Sequence, residues 1–213
     1  MESRIILASS SPRRIELLKA CGIEPIIIPP SGVSEDLSLP LSMEQAVMYL
    51  ALKKGLYSEK IYLSQYESDD SALTPAVLIA ADTIVFKNGM IGKPLDRADA
   101  AATLKRLRNS SHYVATGVSL IKPGTNKRSV FFDVTEVFFK DYSDEEIDQY
   151  LDTQEPWDKA GSYAIQGYWG KHISHFAGSY DNVIGFPWGL IQSILKESWP
   201  EISLKNETIS PTD

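Results

Sequence analysis

Ile5-Ile6-Leu7-Ala8-Ser9-Ser10-Ser11-Pro12-Arg13-Arg14-Ile15 sets the reading of the whole chain. An apolar run stops at three hydroxyls, a proline and two arginines follow, and a helical pattern then begins with Ile15, Leu17, Leu18 and Cys21. The order predicts a strand, a tight turn and a helix N-terminus, with Pro12 where its missing N–H costs nothing. Free backbone N–H groups, the positive end of the helix dipole and two guanidinium forks meet there. That combination suits a polyphosphate.

A chain of 213 residues, 43% hydrophobic, can bury a sizeable core. No apolar stretch is long enough to span a bilayer, and Ile5 to Ala8 is too short for a signal peptide, so a cytoplasmic protein without a membrane partner is expected. A single cysteine, Cys21, excludes an intrachain disulfide. Cys21 precedes Gly22, a C-cap candidate, and reads as a small buried apolar residue. The net charge of −7, with basic residues scattered, disfavours nucleic acid as a partner. An anionic small molecule remains open if a few cations converge.

The expected architecture is α/β: a mixed twisted sheet with flanking helices. Strand Arg4 to Ala8 leads into helix Pro12 to Cys21. Pro25 to Pro29 reads as a short buried strand, 31–40 as a loop, and Ser42 caps a helix to about Tyr57. The stretch 58–75, rich in Ser, Tyr, Asp and Glu, reads as a solvated mobile insertion. Val77 to Ala81 is continuously apolar, as in a strand buried on both faces, ending at Asp82-Thr83. Ile84-Val85-Phe86 resumes it, and Asn88-Gly89 signals a hairpin turn. A helix follows over Arg97 to Arg108. Tyr113 to Ile121 and Ser129 to Phe139 form a long antiparallel hairpin. Ser143-Asp144-Glu145-Glu146 opens a helix to about Asp152 with a capping box. A glycine-rich passage from Pro156, a strand His172 to Phe176 and a helix Phe186 to Ser198 complete a single domain over 1–200. A polar tail occupies 201–213.

Asp82 is the sharpest candidate, because a carboxylate after five apolar residues is costly unless it meets a metal, a cation or water. A turn or cap residue feeding the hairpin is the competing reading. Lys93, between Gly92 and Pro94, could reach a phosphate as a point charge, although alone it reads as a surface lysine. Arg13 and Arg14 oppose the helix dipole and want an anion nearby, which Glu16 could also supply. Glu35 is a lone loop acid. Lys53 and Lys54 lie on a helix, where lysines are normally solvated. His112 reads as structural. His172 and His175, three apart on a strand, face opposite sides and should not share a metal. Gln166, within Asp158 to Gly167, could read a base edge through its donor and its acceptor. Neither a dinucleotide-binding glycine fingerprint nor a P-loop is present.

Ser9 to Arg14, Pro30 to Glu35, Ala81-Asp82-Thr83, Gly92-Lys93-Pro94, Asp158 to Gly167 and Val183 to Pro187 stand in one order along nearly the whole chain. Together they resemble the Maf family of nucleoside triphosphate pyrophosphatases. The resemblance implies an inosine-triphosphate-pyrophosphatase-like fold with two lobes around a deep cleft. It also implies cleavage of a nucleoside triphosphate to monophosphate and pyrophosphate with a divalent cation, Mg²⁺ or Mn²⁺. The proton acceptor falls on Asp82, phosphate contacts on Ser9, Arg13, Arg14, Lys54 and Lys93, and metal-site acids on Glu35 and Asp82. Asp82-Thr83 and Ile165-Gln166-Gly167 match the branch acting on dTTP and UTP, with Arg13, Thr83 and Gln166 as the specificity set. Ser34 stands where the family often has a second acid, and Gly55 where alanine is common. Family analogy implies a homodimer. A nucleotide-binding regulator of cell division without turnover is the alternative, though a pure sensor needs the cations more than the acids.

Overall fold

The computed structural model describes residues 3–37, 40–66 and 75–204. In chain order these form β1 (Arg4–Ala8), α1 (Pro12–Ala20), β2 (Ile26–Ile27), α2 (Met43–Tyr66), β3 (Ala76–Phe86) and β4 (Met90–Ile91). They continue with α3 (Arg97–Leu107), β5 (Ser111–Ile121), β6 (Arg128–Phe139), α4 (Asp144–Leu151), β7 (Ile173–Ala177), α5 (Tyr180–Ile184) and α6 (Trp188–Ser198). Two short 3-10 turns, Ala160–Ser162 and Tyr168–His172, lie between α4 and β7. The sheet runs β2-β1-β3-β5-β6-β7, with β4 on β3. It is mixed, as expected: β1 pairs in parallel with β2 and β3, whereas β3–β4 and β6–β7 are antiparallel.

The chain divides into two compact units. The first holds residues 1–82, 117–132 and 188–213; the second holds 83–116 and 133–187. In the first, Ile6, Ala8, Leu78, Ala80 and Ile121 share a core with Ile28 and Tyr62. Helix α2 lies close on β5: a Cβ at Gly117 would overlap the backbone carbonyl of Val47. In the second unit, Leu104 and Leu107 of α3 and Ile147, Tyr150 and Leu151 of α4 pack with Tyr142, Tyr163 and Trp169. The Ser143 capping box opens α4 as its spacing predicts, with Ser143 Oγ accepting from the Glu146 N–H and Glu146 Oε2 from the Ser143 N–H.

Four expectations change. Helix α2 does not stop at Tyr57 but runs to Tyr66, so 58–66 is not a solvated insertion. Its last turns have work within the first unit. Ser58 Oγ donates to the Ile28 carbonyl, and Tyr62 is buried. Buried Glu59 accepts from Arg128 at 2.9 Å and from the Gly124 N–H at 3.2 Å, holding the β5–β6 turn. Residues 67–74 of that insertion and 205–213 of the tail lie outside the described residues. Strand β3 does not end at Asp82-Thr83 but passes through them to Phe86. The buried strand expected over Pro25 to Pro29 shrinks to two residues at the sheet edge, with Ile27 exposed, because its flanking prolines donate nothing to a ladder. The helix expected from Phe186 begins at Trp188, after a short α5 that closes on Gly185 at φ 95°. His172 sits buried at the end of a 3-10 turn, while His175 is exposed on β7 and stacks on Phe138.

Candidate active site

The end of β1 and the middle of β3 lie side by side, with Ala8 opposite Ala80. Chain continuity therefore brings Ser9 and Asp82 to one end of a parallel strand pair, where α/β sheets place ligands. Ser9 is buried, and its Oγ accepts the Ser11 N–H at 3.1 Å and Arg14 Nη1 at 3.3 Å. Arg14 Nη1 also donates to the Ala81 carbonyl at 2.7 Å. Arg14 is thus turned inward along the strand ends. Arg13, beside it, is half-buried and carries a buried Nε without a hydrogen-bond partner among the described residues. A buried donor left unpaired is costly, and an incoming anion would satisfy it.

Lys54 organises the acids. Its Nζ donates to Asp82 Oδ1 at 2.5 Å and to Glu35 Oε1 at 2.6 Å. The lysine and Asp82 side chains are 13% and 9% exposed, whereas Glu35 is 53% exposed. This explains how β3 carries an acid in its interior: the ammonium meets the carboxylate that burial would otherwise neutralise. Helix α2 supplies Lys54 from its fourth turn, so a lysine that helical spacing alone reads as solvated faces the strand ends instead.

Burial pushes the Asp82 carboxyl above its ordinary range, while Lys54 and Arg14 pull it back and Glu35 adds to the rise. Burial also lowers the Arg14 guanidinium to about 10, against the opposing pull of Asp82; it stays charged at neutral pH. A raised proton affinity makes this carboxylate a better proton acceptor than a solvated one. Glu35 and Asp82 are also the acids that could hold a hard divalent cation, which takes carboxylate, phosphate and water oxygens; their Oε1 and Oδ1 here both accept from the Lys54 ammonium, which an ion between them would displace. Among the described residues no group of three or more His, Cys, Asp or Glu side chains gathers to hold a metal. Glu35 and Asp82 would therefore share an ion with the substrate's own oxygens.

Ser9, Arg14, Lys54, Glu35 and Asp82 are joined by these contacts within the first unit, and Arg13 belongs to the same helix end. Thr83, Lys93 and Gln166 belong to the second. There, Thr83 Oγ1 lies 3.0 Å from Thr116 Oγ1, which donates to the Asn182 carbonyl at 3.2 Å. The Asn182 amide donates to the Val114 carbonyl and to Thr135 Oγ1. Lys93 is exposed in its turn. That turn is tied to the glycine-rich passage by the Gly161 N–H on the Gly92 carbonyl at 3.0 Å. Gln166 is exposed between the two 3-10 turns. Reasoning from the residues missed the bridging position of Lys54 and the Thr116–Asn182 support behind Thr83. No local signal in the sequence marks either.

The family model described as Maf-like protein matches residues 4–198. A protein of Caldicellulosiruptor bescii named dTTP/UTP pyrophosphatase is 43% identical over 86% of this chain and 89% of its own. One of the same name from Bdellovibrio bacteriovorus is 36% identical over 92% of this chain and its full length. A third, from Alkaliphilus oremlandii, is 40% identical over 86% of this chain and 90% of its own. Among solved structures, the Staphylococcus aureus Ham1 protein aligns with 91% of this chain and 98% of its own, at 16% identity and a TM-score of 0.45. With a family model spanning β1 to α6 and relatives matched along most of their length, the chain belongs to the Maf family.

Proposed function

We propose that this protein hydrolyses nucleoside triphosphates, dTTP, UTP and modified pyrimidine nucleotides first, to the monophosphate and pyrophosphate, clearing the cytoplasmic nucleotide pool. The observation that carries the proposal is the buried Asp82 carboxylate, bridged by Lys54 to Glu35 and flanked by Arg14 on Ser9. The relatives named dTTP/UTP pyrophosphatase, at 36% to 43% identity, support the reaction and the pyrimidine preference. A regulator that only binds nucleotides would have little use for two acids facing one ammonium.

In this reading Arg13 and Arg14 bind the phosphate chain, Arg13 through the Nε that has no partner among the described residues. Ser9 fixes the turn before α1, and its hydroxyl keeps Arg14 in place. Lys93 adds a phosphate contact and stabilises charge on the leaving pyrophosphate. Asp82 accepts the proton of the attacking water, and Lys54 keeps that carboxylate ionised until it does. Glu35 and Asp82 would hold a divalent cation, Mg²⁺ or Mn²⁺, whose chemistry is to neutralise triphosphate charge, and Asp82 serves as a tight ligand only when it is not acting as the base. Thr83, Gln166 and Arg13 select the nucleotide. Two copies of the chain form the working unit, and neither nucleic acid nor membrane is a partner.

A pyrophosphate-release assay across dTTP, UTP, dCTP, dGTP and ATP, with each metal, tests the proposal. Pyrophosphate from dTTP and UTP ahead of the others is expected. Orthophosphate as the first product, or tight binding without turnover of any of them, would overturn it.

A further inference from the structure

Gln166 is followed by a residue with no room for a side chain, and the group filling that room is a carboxylate. Gly167 has φ −103° and ψ −167°, backbone that any residue adopts, so conformation does not demand glycine there. Space does: a Cβ at Gly167 would fall on the carboxylate of Glu155. That carboxylate takes the Tyr150 hydroxyl on Oε1 at 2.9 Å and the Tyr168 backbone N–H on Oε2 at 3.0 Å. Tyr150 is fully buried on α4 and stacks on Trp169, so its hydroxyl is a fixed point. Glu155 thereby clamps the backbone just past Gln166 to the core of the second unit. The other side of the turn is equally tight. A Cβ at Gly170 would overlap the Ile165 carbonyl oxygen, and the Gly170 N–H donates to the Gly167 carbonyl at 3.0 Å. Gln166 is exposed on a turn whose backbone cannot shift without breaking these contacts.

We infer that Glu155 is a positioning residue for base recognition: by holding Gly167 and Tyr168, it fixes where Gln166 presents its amide to the nucleobase. The inference rests on the proposed pyrimidine specificity and on Gln166 reading the base. An exposed amide recognises a base well only if its backbone is preorganised, since ordering a loose turn on binding subtracts from affinity. Glu155 acts through hydrogen-bond geometry rather than charge. In Glu155→Gln the amide oxygen can still accept the Tyr168 N–H, and the amide nitrogen can donate to the Tyr150 oxygen.

The test is a cycle of Glu155→Ala, Gln166→Ala and the double variant, read as KM and kcat for dTTP and as inhibition by pyrophosphate. Glu155→Ala is expected to raise KM about tenfold with kcat within about twofold, the pattern of lost uniform binding. Pyrophosphate inhibition should not move, Glu155→Gln should restore KM, and the double variant should be no worse than Gln166→Ala alone. Gly167→Ala, which displaces the carboxylate, should reproduce the KM effect if Glu155→Ala does not fold. Additive KM effects in the double variant would overturn the inference, as would equal losses in kcat and in pyrophosphate binding. Absence of pyrophosphate release by the unmodified chain would defeat the proposed function alone. The same cycle read as dissociation constants of a non-hydrolysable dTTP analogue would still decide the role of Glu155.

Discussion

Asp82 and His112 are both buried ionisable side chains, with 6% and 1% of their surface exposed, and the two units treat them in opposite ways. Burial raises the proton affinity of Asp82, and an ammonium and a guanidinium oppose that rise. His112 meets Tyr163 OH at 2.7 Å and the ring of Phe139, and burial, with Lys87 adding a smaller push, drops its pKa to about 3. Its imidazole is neutral at any physiological pH. Around it the second unit buries Tyr142, Tyr150 and Trp169, all neutral, and holds Thr83 through hydroxyls and an amide. Charge is concentrated where phosphates would be handled. Neutral hydrogen bonding surrounds Thr83 and His112.

The largest effect expected from this contrast is on turnover. Asp82→Asn removes the proposed proton acceptor and keeps nearly the same shape, so kcat for dTTP should fall about 10²–10⁴-fold with binding retained, as measured by pyrophosphate release and by titration with dTTP. The activity of the unmodified enzyme should rise as pH climbs through the elevated Asp82 pKa. Stability moves the other way. A carboxyl with a folded pKa above its unfolded one binds protons better when folded, so this group costs stability above that window and the cost disappears on acidification. The Tm of the parent relative to Asp82→Asn should therefore rise on acidification from pH 7, whatever the variant loses with the Lys54 ion pair. A variant with full turnover would remove Asp82 from the chemistry.

His112 should give the opposite slope. Its folded pKa, about 3, lies below the ordinary histidine value of 6.5, so its stabilising share is whole above about pH 6.5 and is lost as pH falls toward 3. One such group contributes at most about 1.4 kcal/mol per pH unit. Urea unfolding of the parent and of His112→Gln between pH 4 and 7 should show the difference in stability narrowing on acidification. Parallel pH dependences would mean that the second unit does not bury a neutral histidine at its own expense.

Lys54→Met sharpens the contrast within the first unit. With the ammonium gone, burial acts on Asp82 with less opposition, and the acid limb of kcat/KM for dTTP should shift to higher pH. At pH 6 the variant should lose more activity, relative to the parent, than at pH 8. An unshifted limb would mean that Lys54 serves only to bind phosphate.

The sheet, the capping box, the Asn88-Gly89 turn and the strand–turn–helix of 5–15 were legible because each is written in local chemistry. The extent of α2 was not. Residues 58–66 look polar, yet Ser58 and Glu59 spend their polar atoms on Ile28, Gly124 and Arg128, partners far away in the chain. Asp82 stood out because an acid in an apolar run violates a local rule. The position of Lys54 did not stand out, since a lysine on a helix violates none. Its role follows from a sheet register that only the fold supplies. Family resemblance assigned phosphate binding to Arg13 and Arg14 alike. The structure separates them, with Arg14 donating to Ser9 and Ala81 and Arg13 holding an Nε without a partner.

The smallest effect concerns the hydroxyls behind Thr83. Thr116 is fully buried and links the Thr83 hydroxyl to the Asn182 carbonyl. Thr116→Val fills nearly the same space but leaves that carbonyl without this donor, which should cost about 1–2 kcal/mol. For a chain of this size each kcal/mol lowers Tm by roughly 2–4 °C, so calorimetry resolves the loss. If the neutral region serves base recognition, KM for dTTP should rise modestly, the preference for dTTP over dCTP should weaken, and kcat should stay near the parent value. A collapse of kcat on removing one neutral hydroxyl would break this contrast, because chemistry would then depend on a hydrogen-bond chain that carries no charge.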